Sequence, residues 1–200
     1  MKALHIVAGP PLYTNTFLLI GENGLAAAID PAADAQRYLE LLDEHGARLT
    51  HILLTHGHYD HVAAVEALRE ATGACVVMSE ADARGGRLFP FVSPDRDYSD
   101  DEMIPVDSDL SFRVICTPGH SAGSVCLLCG SLLFSGDTLF AGGIGRTDLE
   151  CGEGDSMRHS LAKLLFTVPG DPQVLPGHGD FSTLSRERAQ NPYLQEFIEQ

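Results

Sequence analysis

Along the first 31 residues the apolar positions fall into three short runs, "ALHIV", "NTFLLIG" and "LAAAID", separated by the turn residues Gly9-Pro10-Pro11 and Glu22-Asn23-Gly24. That pattern predicts a meander of three strands. Ala35, Tyr38, Leu39 and Leu42 then recur at i, i+3, i+4 and i+7, the stripe of an amphipathic helix, and Gly46 supplies a left-handed stop. Next come a strand "HILLTH", a helix from about Asp60 to Thr72 closed by Gly73, a strand "CVVMS" and a short helical "EADAR".

Residues 85 to 109 break this order with Gly85-Gly86, Pro90, Pro94, Pro105 and seven acids, and they read as an irregular surface loop. Strands return as "LSFRVICTP", "SVCLLCG" and "SLLFSGD", the last two joined by a tight turn at Gly130. A glycine-rich loop "FAGGIGRTDLECGEG" leads to a helix with Met157, Leu161, Leu164 and Leu165 on one face. A strand "QVLPGHG" follows, and Asn191-Pro192 looks like the N-cap and first residue of a terminal helix. The order of strands, helices, loop, strands, helices describes two halves of similar build, which a two-sheet α+β sandwich with outer helices accommodates. One compact domain over residues 1–200 is expected.

Composition narrows the partners. The chain has 200 residues, 44% of them hydrophobic, with no run of 18 apolar residues and no signal-peptide pattern at its start, so the expectation is a soluble, cytoplasmic protein. A formal charge of −15 repels phosphate backbones and anionic lipid surfaces, which argues against nucleic acid and membrane partners. Five cysteines, an odd number, point to free thiols rather than a disulfide framework. Cys126 and Cys129 spell CxxC, but three positions along a strand put them on opposite faces, so they are expected to pack rather than chelate.

The chemistry gathers at strand ends. In "THGHYDH" His56 and His58 sit two apart and can reach one cation from the same side, while Asp60 and His61 follow where the chain turns and can serve a second. His120 in "TPGHSAGS", Asp137 in "LLFSGDTLF" and His178 in "LPGHGD" also follow strands. Imidazole with carboxylate suits Zn²⁺ first, with Fe or Mn²⁺ as alternatives, and a carboxylate can bridge two ions. Asp30, at the end of "AAAID", is placed to support a ligand from behind. His5, His45, His51 and His159 lack this setting and read as structural or solvated; Cys151 reads as a bystander thiol. Tyr13, Asn15 and Tyr59 could line a cleft or simply pack.

"THGHYDH", "TPGHSAGS", "SGDTLF" and "LPGHGD", in this order and over nearly the whole chain, resemble the motif series of the metallo-β-lactamase superfamily. The resemblance implies an αββα sandwich with a site for two divalent metal ions in the cleft between the sheet edges. Carried over by position, one metal takes His56, His58 and His120, the other takes Asp60, His61 and His178, and Asp137 bridges. Within the superfamily, "GGIGRTDLECGEGD" and "LPGHGDFSTLSRERAQNPYL" are similar to short glyoxalase II-like (hydroxyacylglutathione hydrolase-like) enzymes. Full-length glyoxalase II has a further helical domain that holds glutathione; this chain ends shortly after His178, so a single domain without it is expected.

The resemblance then implies a metal-dependent thioesterase acting on a small-molecule thioester, S-D-lactoylglutathione being the type substrate. Two cations roughly 3.5–4 Å apart would lower the pKa of a shared water from about 15.7 towards about 7, and the resulting metal-bound hydroxide would attack the carbonyl. Asp60 and Asp137 would act as catalytic groups, orienting the hydroxide while ligating. "GRTD" also resembles the persulfide dioxygenases, in which the matching Arg faces a glutathione carboxylate, so Arg146 is the substrate-binding candidate, with pairing to Asp148 as its structural alternative. An iron-dependent persulfide dioxygenase and a lactonase or other metallo-hydrolase of this fold are the rival activities.

Overall fold

The computed structural model describes residues 1–198. The first half builds β1 (Lys2–Val7), β2 (Asn15–Ile20), β3 (Leu25–Ile29), α1 (Ala35–Glu44), β4 (Arg48–Leu53), α2 (Val65–Thr72) and β5 (Cys75–Val77). These five strands form one sheet in sequential order, the first three antiparallel and the last three parallel. The second half builds β6 (Met103–Asp107), β7 (Leu110–Cys116), β8 (Val125–Cys129), β9 (Leu132–Gly136), β10 (Leu139–Phe140), β11 (Gly143–Ile144), α3 (Gly154–Thr167), β12 (Gln173–Pro176), β13 (Ser182–Thr183), α4 (Leu184–Gln190) and α5 (Pro192–Ile198). Here the six-stranded order is β13-β12-β9-β8-β7-β6, and β10 and β11 make a separate ribbon.

Strand alternation separates the apolar side chains into layers. On β2, Leu18 and Ile20 face a core shared with α1 and α2, whereas Phe17 and Leu19 face the space between the sheets. On β9, Phe134 joins that central core and Leu133 turns outward onto the α3 side. The same rule sends Cys126 to the outer core and Cys129 to the central one, on opposite faces of β8 as their spacing requires. The result is the helix–sheet–sheet–helix layering of the metallo-β-lactamase fold expected from the motif series.

Two expectations change. The helix expected from Asp60 begins at Val65, because residues 60 to 64 form turns that aim Asp60 and His61 back over the strand end instead of spreading them round a helix. The stretch 85 to 109, expected to be irregular throughout, contains β6. Ile104 and Val106 point into the central core while Met103 and Pro105 face out, and Pro105 is tolerated because β6 is an edge strand with a register shift next to it. No helix among the described residues is long and apolar enough to cross a membrane.

Candidate metal centre

β3, β4, β9 and β12 run so that their C-terminal ends reach one edge of the sandwich, and β7 is aligned with β9 through the antiparallel β8 between them. Every candidate ligand follows one of these ends. Main-chain bonds tie the sheets there: Val125 N donates to Thr55 O at 2.8 Å and Asn15 N to Gly177 O at 2.7 Å.

Three imidazoles, His56, His58 and His120, converge with one nitrogen each within 4.8 Å of the others. His58 Nδ1 lies 2.9 Å from His120 Nε2, a contact between two ring nitrogens that needs a proton or a cation between them. His120 Nδ1 faces Arg146 O at 2.8 Å and His56 Nδ1 faces Thr55 Oγ1 at 3.1 Å, which fixes both rings from outside. Burial, reinforced by the neighbouring imidazoles, pushes His56 well down and His58 down to about 4, so these rings are held in the neutral form that binds metal.

Asp60, His61 and His178 form a second group, again with one ligand atom each within 4.8 Å of the others. Asp60 Oδ2 is 3.2 Å from His178 Nε2 and 3.8 Å from His61 Nε2. Asp137 stands between the groups, 3.6 Å from His61 Nε2, 3.5 Å from His120 Nε2 and 3.6 Å from His178 Nε2. Burial would lower His61, but the carboxylates of Asp30 and Asp137 outweigh it and raise its pKa to about 9; burial would raise Asp60, but the bond with His178 and the charge of His61 hold it at about 2.

On the cluster side, His56 Nε2 and Asp137 Oδ1 are buried without a hydrogen-bond partner among the described residues. Groups of this kind are costly to bury and are satisfied by a metal, so this donor set fits divalent cations. Asp30 is also close to His56 and His61, but its Oδ2 sits 2.9 Å from His61 Nδ1, leaving Nε2 for the cluster, so Asp30 braces the His61 ring from behind. Its backbone is left-handed, φ 46°, which turns the carboxylate onto Thr55 N at 2.7 Å and Thr55 Oγ1 at 2.6 Å.

The profile of the metallo-beta-lactamase superfamily matches residues 9–179. The chain belongs to this superfamily. It is 32% identical to the probable metallo-hydrolase YqgX of Bacillus subtilis, covering 98% of this chain and 99% of that one, and 29% identical to the hydroxyacylglutathione hydrolase GloC of Haemophilus influenzae, covering 96% and 97%. Among solved structures it superposes on the B3 metallo-beta-lactamase BLEG-1 with a TM-score of 0.84 at 31% identity, covering 96% of this chain and 99% of that one. ETHE1 from Myxococcus xanthus gives 0.82 at 31% identity, with 100% and 90% covered. TTHA1623 in a di-iron-bound form gives 0.80 at 33% identity, with 96% and 100% covered. The protein is a metal-dependent hydrolase of this superfamily, with a histidine-rich cluster suited to divalent metals.

The cluster opens into a cavity of about 500 Å³ lined by Asp60, Asp137, His178, Tyr59 and an apolar wall of Leu12, Leu88, Phe140, Ile144 and Leu149. Arg146 also lines it, with its guanidinium held bidentately by Asp148 at 2.7 and 2.8 Å on the exposed rim. That bond drops Asp148 to about 2. Of the residues left open between cleft and packing, Tyr59 faces the cavity, Tyr13 does not line it, and Asn15 holds the His178 loop from beneath through Pro176 O at 3.0 Å and Gly179 O at 2.9 Å.

Two buried acids escaped the sequence reading. Glu187 accepts from Gly142 N at 2.8 Å and from Asn191 Nδ2 at 2.8 Å, and Asn191 also donates to Gly143 O, which pins the loop leading to Arg146. Asp82, in the segment read only as a short helix, is fully buried. Neither has a local signature, because their donors come from distant segments.

Proposed function

We propose that the chain is a thioester hydrolase of the glyoxalase II type, acting in the cytoplasm on a small-molecule thioester. The observation that carries this reading is the second donor group, Asp60, His61 and His178, beside the first, with Asp137 between them. His56, His58 and His120 would hold one cation, Asp60, His61 and His178 the other, and Asp137 would touch both, with Zn²⁺ the first choice for this imidazole-rich set and Fe or Mn²⁺ the alternatives. Bound cations of this kind supply Lewis acidity and a water that ionises near neutral pH. The 29% identity to a hydroxyacylglutathione hydrolase supports a thioester as substrate.

Asp60 and Asp137 line the cavity and would orient the attacking water by accepting its protons, directing its lone pair at the carbonyl. The wall of Leu12, Leu88, Phe140, Ile144 and Leu149 would take the apolar parts of the substrate and keep water off them. Arg146 would meet a carboxylate of the thiol half by exchanging it for Asp148, since an exposed ion pair holds little net free energy. Thiolate leaves readily, so the chain needs no strong general acid.

Anaerobic turnover of S-D-lactoylglutathione by metal-analysed protein tests the reading, with glutathione persulfide in an oxygen electrode run in parallel. Thiol release without oxygen, at about two metals per chain, is expected. Oxygen uptake with about one iron per chain would replace hydrolysis by persulfide oxidation.

A further inference from the structure

Asp82 belongs to neither donor group, yet it is fully buried and uses both oxygens. Oδ2 accepts from Gly57 N at 3.0 Å and from Ser121 Oγ at 2.7 Å, and Oδ1 accepts from Gly123 N at 2.8 Å. Gly57 separates His56 from His58, and Ser121 follows His120. One carboxylate therefore fastens together the two segments that deliver the three imidazoles of the first group. The chain makes room for it: a Cβ on Gly57 would lie 2.9 Å from Asp82 Cβ, and a Cβ on Gly123 would lie 2.8 Å from Asp82 Cγ. Burying a carboxylate is expensive unless several donors meet it, and here three do.

The first group needs such a fastening more than the second. His61 has Asp30 on its outer nitrogen. Among the described residues no carboxylate meets the outer nitrogen of His56 or His120, whose Nδ1 atoms face Thr55 Oγ1 and Arg146 O. His58 has one nitrogen against His120 and the other without a partner among the described residues, so apart from the Phe89 and His56 rings, with centroids 4.5 and 4.7 Å away, its place is set by the backbone that Asp82 holds.

We propose that Asp82 is a positioning residue for the His56, His58 and His120 half-site, holding Gly57 and Ser121 at the spacing the three imidazoles require. Asp30 serves the other half-site, reaching His61 directly and His56 only through Thr55. This division of labour rests on the reading that the two groups hold metal.

The test is a Zn²⁺ titration, in competition with a chromophoric chelator, of wild-type protein and of Asp82→Asn, Ser121→Ala and Asp30→Asn, each also in a His56→Ala background, with urea unfolding followed alongside. Asn at 82 keeps the shape but turns one acceptor into an NH₂ facing a main-chain N–H. Asp82→Asn is expected to weaken one of two Zn²⁺ ions by about 10- to 100-fold and leave the other unchanged. In the His56→Ala background it should add nothing, whereas Asp30→Asn should weaken the remaining ion. Ser121→Ala keeps both main-chain bonds, should shift the same ion by less, and carries the test if Asp82→Asn does not fold. Equal weakening of both ions, loss of stability with no change in either, or a further loss on top of His56→Ala would overturn the assignment. Wild-type protein that binds no Zn²⁺ would instead remove the metal reading beneath it.

Discussion

The two ends of the cluster solve opposite electrostatic problems. At the His56, His58 and His120 end three imidazoles are nearly sealed from solvent, and burial, with the neighbouring imidazoles, lowers the pKa of His56 and His58. At the Asp60, His61 and His178 end the carboxylates of Asp30, Asp60 and Asp137 outnumber the cations, and His61 holds its proton up to about 9. His178 there has 26% of its side chain exposed. One end is a buried pocket of imidazoles and the other an anionic rim, so they differ in what competes with a metal: near neutral pH His56 and His58 carry no proton to displace, whereas His61 does.

Asp137 joins both ends, so removing it should break the comparison altogether. Asp137→Ala is expected to lower kcat/KM by about 10³-fold or more, and His56→Ala by as much, in steady-state thioester assays; an active variant would sink the site assignment. Stability of the metal-free protein should show the two ends as opposite pH slopes. His58 has its folded pKa depressed from 6.5 to about 4, so the unfolded chain gains the proton first and stability falls as pH drops through that window. His61 has its folded pKa raised from 6.5 to about 9, so its contribution is fully present below 6.5 and is lost as pH rises through about 9. Urea midpoints measured from pH 4 to 9.5 on chelator-treated protein should flatten on the alkaline limb alone in His61→Gln.

Gly177→Ala strikes the second end by sterics. Its Cβ would lie 2.4 Å from Asp137 Oδ1 and 2.5 Å from His61 Cε1. A loss of about 1–3 kcal/mol in unfolding free energy is expected. Metal analysis should show the anionic rim emptied before the imidazole pocket. The smallest effect belongs to Arg146→Ala, which lies outside both ends: KM for glutathione thioesters should rise by less than about 10-fold with kcat unchanged. A fall in kcat would mean that the Arg146 main chain, which faces His120 through its carbonyl, had moved.

Legibility from sequence followed the range of the interactions. The strands that lead to the seven candidate ligands are readable because alternation and turn residues are local, and the candidates stand at strand ends near glycines. The edge strand β6 was hidden because Pro105 and the surrounding acids mask an alternation of only two buried positions, Ile104 and Val106. The start of α2 was misplaced because tertiary demand for Asp60 and His61 at the cluster outweighed helical periodicity. Asp30 could be suspected from its strand end; Asp82 and Glu187 could not.

What the sequence determined alone is the menu: two β-rich halves, free cysteines, and imidazoles and carboxylates in a spacing that only metal chemistry uses economically. Periodicity and ligand identity are written residue by residue, so they survive without a fold. The tertiary structure decided where each carboxylate stands, Asp60 in the second donor group, Asp137 between the two, Asp30 and Asp82 behind them, since the four are alike as residues and differ only in the groups that surround them. Those donors come from segments tens of residues apart, and only the packing of two sheets at one edge brings them within hydrogen-bonding reach.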